Sequence, residues 1–132
     1  MGGSINPPTA ENTAFGGQYV HQDGRAVYRY AVTNMCEASQ NVLNSCGLDA
    51  SQIDYLLPHQ ANLRIIESVT EHLGLPKEKV LVNIERYGNT TDGTLPLLLW
   101  DFEKTLKKGD KLLLTTFGGG FTWGSMYLTW DY

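Results

Sequence analysis

The chain has 132 residues, 42% of them hydrophobic, which suits one domain with a core of its own. Its net charge is −4 and its longest basic run is Lys107-Lys108, so it lacks the clustered cations that neutralise nucleic-acid phosphates. No apolar run approaches the roughly 20 residues of a membrane span, and no signal-peptide pattern opens the chain, so a cytoplasmic protein is expected.

Residues 1–22 are rich in Gly, Pro, Asn, Thr and Ser without periodicity, and read as a linker or the irregular start of a domain that occupies 23–132. From Gly24 to Ser45, apolar residues recur at steps of three and four, which predicts a helix. Gly47 follows as its stop. "IDYLLP", 53–58, is a short apolar strand ended by Pro58. "ANLRIIESVTEHLG", 61–74, is an amphipathic helix with Gly74 past its end.

"VLVNI", 80–84, is β-branched and apolar, hence predicted as a buried strand. The loop "ERYGNTTDGT" leads into a helix from Asp92 or Thr94 to Lys107, with Thr91 or Asp92 as its N-cap. Lys107 and Lys108 would then meet the negative end of that helix's dipole. "DKLLLTTF", 110–117, and "TWGSMYLTW", 122–130, are strands joined by a glycine turn. The order α, β, α, β, α, β, β predicts an α/β fold. It consists of a mixed, mostly parallel sheet covered by helices, closed by a C-terminal β-hairpin.

Ligands of such sheets meet the loops at the carboxyl ends of strands. Three candidates fall there: Pro58-His59, Gly88-Asn89 and Gly118-Gly119-Gly120. A histidine at a helix start has its charged form disfavoured by the dipole, leaving a neutral imidazole that donates from one nitrogen. Asn89 offers an amide NH₂ to the same oxygen, and two converging donors stabilise an oxyanion. Read singly, His59 is equally a residue satisfying local backbone, and Asn89 a left-handed turn residue. "FGGGFTWG" precedes a strand rather than a helix and lacks a phosphate-loop pattern; its glycines suit a backbone donor or a plain turn.

Cys36 and Cys46 match no metal spacing, and ten residues of helix would separate them by about 15 Å, too far for a disulfide. Both read as small core residues of a reducing compartment. Neither paired carboxylates nor an activated serine is present. The site therefore has donors and no nucleophile, and no metal is expected.

"PHQANLRI", "YGNTTDGTLPL" and "FGGGFTWGS", in this order over residues 19 to 130, resemble the C-terminal half of β-ketoacyl-acyl carrier protein synthase III. That family has the thiolase fold and begins fatty acid synthesis. The resemblance implies an acyltransferase. An acyl-CoA acylates a cysteine of the N-terminal half, and malonyl-acyl carrier protein then decarboxylates and condenses with it. His59 and Asn89 match two members of a Cys-His-Asn triad, and Gly119 would supply a backbone N–H to the second oxyanion hole. Ala61, Asn62, Gly24, Arg25 and Tyr28 match the segments around the pantetheine tunnel, with Arg25 where many members carry Asn. Arg64 matches a carrier-docking cation, with Arg29 a second candidate.

Glu71 and His72 depart from the family's basic pattern, and Asp92 departs from the small-residue form of its loop. The resemblance also implies a homodimer for the full-length enzyme, no permanently bound cofactor, coenzyme A thioester as substrate, and no activity for this segment alone. Two alternatives stay open. One is a thiolase-fold acyltransferase of polyketide or quinolone type; the other is a non-catalytic module that binds a pantetheine-bearing partner.

Overall fold

The computed structural model describes residues 7–14, 16, 19 and 21–132. Helix α1 (Ala10–Thr13) is a single turn that composition does not predict; Thr9 and Asn12 close a capping box around it. Helix α2 spans Gly24–Ser45, as its periodicity predicts, and Asp23 caps it by accepting the N–H groups of Arg25 and Ala26. Strand β1 (Tyr55–Pro58) and helix α3 (Leu63–His72) follow. A single turn, α4 (Ile84–Tyr87), precedes α5 (Thr94–Phe102), and β2 (Lys111–Gly118) and β3 (Thr122–Thr129) complete the chain.

The sheet order is β1-β2-β3. β1 runs parallel to β2 in the register Leu56 to Leu113, and β2 and β3 form the antiparallel hairpin. The two-residue alternation of strand side chains then divides the leucines between two cores. Leu56, Leu113 and Phe117 join the core made with α2 and α3, which includes Ala31, Met35 and Val69. Leu57, Leu112 and Leu114 join Leu98 of α5 and Leu106 in the other. A sheet covered on both faces explains why "KLLLTTF" is continuously apolar rather than alternating.

Three expectations need correction. "VLVNI" is not a strand: Val80 forms an isolated parallel bridge with Leu56, and the Leu81 N–H bonds the Leu56 carbonyl at 2.9 Å. The chain then turns away, because the N–H groups of Asn83 and Ile84 are taken by the Gln60 side chain instead of a neighbouring strand. The last helix ends at Phe102, so Lys107 and Lys108 lie beyond it. It also has no side-chain cap from Thr91 or Asp92, its N-cap being Gly93. Finally, Cys36 packs partly buried against the core, but Cys46 is exposed at the end of α2.

Leu113 sits at the centre of β2 with no exposed surface. Leu113→Ala is expected to lower stability by about 2–5 kcal/mol through lost burial and a cavity. Urea unfolding would show this as a lower midpoint at unchanged slope; an unaltered midpoint would remove Leu113 from the core.

Candidate active site

The N–H of His59 donates to the carbonyl of Thr115 at 2.8 Å, extending the β1–β2 ladder one residue past Pro58. That bond fixes where the imidazole starts. The ring is half-buried at the junction of two cavities, of about 610 and about 160 Å³. Asn89, Gly118 and Gly119 line both cavities with it. The three motifs of the sequence thus converge on one place.

His59 is not a helix-start residue as expected. α3 begins four residues later, capped by Asn62, whose side-chain oxygen accepts the Arg64 N–H at 2.9 Å. The imidazole is nevertheless kept neutral, by burial rather than by a dipole: desolvation holds its pKa below the ordinary 6.5, against the opposing pull of the Asp92 carboxylate.

Asn89 follows α4 rather than a strand, and Gly88 rather than Asn89 takes the left-handed conformation. Gly88 has φ 66° and ψ −155°, a region that only glycine occupies without strain. The side-chain oxygen of Asn89 accepts the Thr91 N–H at 3.0 Å, which identifies the amide orientation and leaves the NH₂ as its donor. Thr91 itself has φ 50°, a strained value for a β-branched residue. Behind this loop, Asn83 and Tyr87 donate to the Asp101 carboxylate at 2.9 and 3.0 Å, and Arg86 pairs with it at 3.1 Å. The Asn83 hydrogen bond foremost, with those of Tyr87 and the Arg86 charge, holds the Asp101 pKa below the usual value against desolvation.

The glycine turn is held from outside. Phe121 stacks at 5.0 Å on Phe117 and at 5.4 Å on Tyr30 of α2, so the hairpin tip is clamped to that helix. A Cβ at Gly119 would meet no protein atom within 4 Å, so packing inside this chain does not demand a glycine there. Asp92, Thr94 and Leu95 also line the larger cavity.

Of the predicted tunnel residues, the structure places only Ala61 in the cavity wall, at the smaller one. Asn62 caps α3, Gly24 and Arg25 are the exposed first residues of α2, and Tyr28 bonds Ser68 at 2.6 Å. Arg64 lies over the Tyr28 ring at 5.7 Å and Arg29 over Tyr30 at 5.2 Å, both guanidiniums on the exposed surface of α2 and α3. Sequence reasoning missed Gln60, Thr94 and the Phe117–Phe121 clamp; only the paired phenylalanines of "FGGGF" carried a visible signal. Among the described residues no group of three His, Cys, Asp or Glu side chains could hold a metal, and no helix is long and apolar enough to cross a membrane.

The family model described as 3-oxoacyl-[acyl-carrier-protein (ACP)] synthase III C terminal matches residues 43–130. The beta-ketoacyl-[acyl-carrier-protein] synthase III 1 of Bacteroides thetaiotaomicron is 50% identical over 99% of this chain, which covers 39% of that protein. The crystal structure of 3-oxoacyl-(acyl carrier protein) synthase III from Pseudomonas aeruginosa superimposes with a TM-score of 0.83 at 42% identity, over 86% of this chain and 37% of that one. The priming β-ketosynthase of the R1128 polyketide pathway matches with a TM-score of 0.78 at 31% identity, over 84% of this chain and 34% of its own. The chain thus spans about two-fifths of its curated relatives.

Asp92 favours the imidazolium of His59, so removing its charge should lower the His59 pKa further. Asp92→Asn is expected to move the NMR titration midpoint of the His59 ring to lower pH. A midpoint that stays or rises would show that Asp92 does not act on the ring.

Proposed function

Because the chain belongs to the family of 3-oxoacyl-[acyl-carrier-protein] synthase III C-terminal domains, we propose that it supplies the decarboxylating half of a condensing enzyme. The convergence of His59, Asn89 and Gly119 on one junction carries this reading. The substrate is a malonyl thioester on acyl carrier protein. The His59 ring N–H and the Asn89 NH₂ donate to its thioester oxygen. Loss of CO₂ leaves the carbon–carbon electron pair delocalised onto that oxygen as an enolate. Donors fixed beforehand in a partly buried site stabilise such charge by several kcal/mol in total, on the scale of about 10²–10³-fold per donor.

The enolate carbon then attacks an acyl thioester on a cysteine of the N-terminal half. A carbon–carbon bond forms, the carbonyl oxygen passes through an oxyanion held by the Gly119 N–H, and the cysteine sulfur leaves. A neutral His59 suits this sequence because it donates a hydrogen bond while keeping its proton, so the enolate is not quenched by protonation. The fold is therefore that of a donor half, and the working enzyme is the longer, homodimeric chain. No resident cofactor is needed, since coenzyme A enters as the thioester that acylates the cysteine.

The smaller cavity, with Ala61 in its wall, suits the narrow pantetheine arm. Arg64 and Arg29, exposed and each braced on a tyrosine, suit the acidic surface of a carrier protein, and Arg25 precedes Arg29 by four residues on α2. In this placement Asn62 acts through the α3 cap rather than by lining the tunnel, and Gly24 and Tyr28 support the surface outside it.

In the full-length protein, His59→Ala is expected to abolish malonyl decarboxylation while acyl-CoA still acylates the cysteine. Release of labelled CO₂ and mass spectrometry of the acyl-enzyme separate the two steps, and loss of acylation instead would refute the role given to His59. The 132 residues alone are expected to condense nothing; turnover of acetyl-CoA with malonyl-acyl carrier protein by them would contradict the division of labour.

A further inference from the structure

Gln60 is 1% exposed, an unusual depth for a glutamine that touches no apolar pocket of its own. Its side chain is fully engaged. The Nε2 group donates to the carbonyl of Pro58 at 2.8 Å and, at a longer 3.4 Å, to that of Leu81. The Oε1 accepts the N–H groups of Asn83 and Ile84 at 3.0 and 3.1 Å. Its backbone N–H donates to the Thr94 hydroxyl at 2.8 Å.

These partners have one thing in common. Pro58 immediately precedes His59. Asn83 and Ile84 open the single turn α4, whose far end is Gly88 followed by Asn89. Thr94 begins α5 and lines the cavity that His59 and Asn89 share. The side-chain amide therefore ties the segment of His59 to the one that leads to Asn89, and the backbone N–H of the same residue holds the third at Thr94. α4 is too short to hold itself, and with Asn83 making no side-chain cap, the Gln60 oxygen takes the place of one. A merely space-filling residue at this depth would be apolar, because an amide buried here is tolerated only with its groups satisfied.

We propose that Gln60 is a positioning residue for the decarboxylation assigned above: its amide fixes the spacing between the His59 donor and the Asn89 donor. The proposal rests on that reading of the site. It acts through geometry, since two donors must meet one oxygen, and displacements near 1 Å can cost on the order of 10²-fold in rate.

The test uses the full-length protein carrying Gln60→Glu, with Gln60→Met as a near-isosteric apolar companion and His59→Ala as control. A buried carboxyl has a raised pKa; ionised, it can accept from Asn83 and Ile84 but cannot donate to Pro58, whereas protonated it does both. Release of labelled CO₂ from malonyl-acyl carrier protein by Gln60→Glu is expected to fall on the order of 10²-fold at about pH 8, with its ratio to wild type climbing towards about pH 6. Gln60→Met is expected to show the loss without the climb, and in both variants cysteine acylation by acyl-CoA falls far less. Wild-type decarboxylation in either variant beside an inactive His59→Ala overturns the Gln60 role alone. A normal His59→Ala rate overturns the reading on which it rests. Equal loss of both half-reactions, or failure of both variants to fold, makes Gln60 a stability residue and also overturns the proposal.

Discussion

The parallel ladder between β1 and β2 is the constraint from which the site hangs. Its last bond, from the His59 N–H to Thr115, lies beyond the proline that ends β1, so the ladder delivers the imidazole directly. β2 continues three residues further to Gly118, and its hairpin to β3 turns back at Gly119–Phe121. The height of the histidine and the position of the glycine turn are therefore set by one strand. That strand is immobilised by leucines buried on both faces. Where α2 crosses the hairpin, small hydroxyl residues replace leucines: Ser39 meets Ser125, which donates to Thr115, which donates to the Met35 carbonyl. A helix can approach a sheet closely there because every one of those buried hydroxyls has a partner.

The second donor reaches the site by a different physical route. No strand carries Asn89; a sequence of locally satisfied turns does. Gln60 takes the N–H groups at the start of α4, the Asp101 carboxylate gathers Asn83, Tyr87 and Arg86 on its flank, Gly88 supplies a conformation closed to other residues, and Asn89 then braces Thr91. The strain at Thr91 is compatible with the loop because Asn89 and the start of α5 both hold it. Rigidity comes here from polar saturation rather than from core packing.

This contrast explains what could be read in the residues alone. The extent of α2 was legible to its ends because a 3.6-residue period with an aspartate before it and a glycine after it is a local pattern. The hairpin was legible for the same kind of reason. "VLVNI" misled because its composition favours a strand, while its outcome was decided by Gln60, more than twenty residues earlier in the chain. The short α5 misled similarly: apolar periodicity weakens after Phe102, and the chain there turns towards β2. His59 and Asn89 were visible as residues with donor chemistry near predicted element ends. Their shared cavity, and the burial that keeps His59 neutral, depend on long-range contacts that no local pattern encodes.

The chemistry that this arrangement offers is one-sided, and the cysteines show why. Cys36 is raised to about 11 by burial and packs against the α2–α3 core, so its sulfur stays protonated and inert. Cys46 lies with Met126 and Tyr127 along a separate groove that shares no residue with the donor site. The donors are thus well prepared to meet negative charge on an oxygen, and among the described residues neither thiol of this chain lines the cavities they share. The two cavities that share His59 and Asn89 offer two approaches to a single pair of donors. The pair is flanked by the glycine turn, whose backbone N–H groups carry no net charge. Electrostatic stabilisation and approach geometry are then supplied by the same few residues.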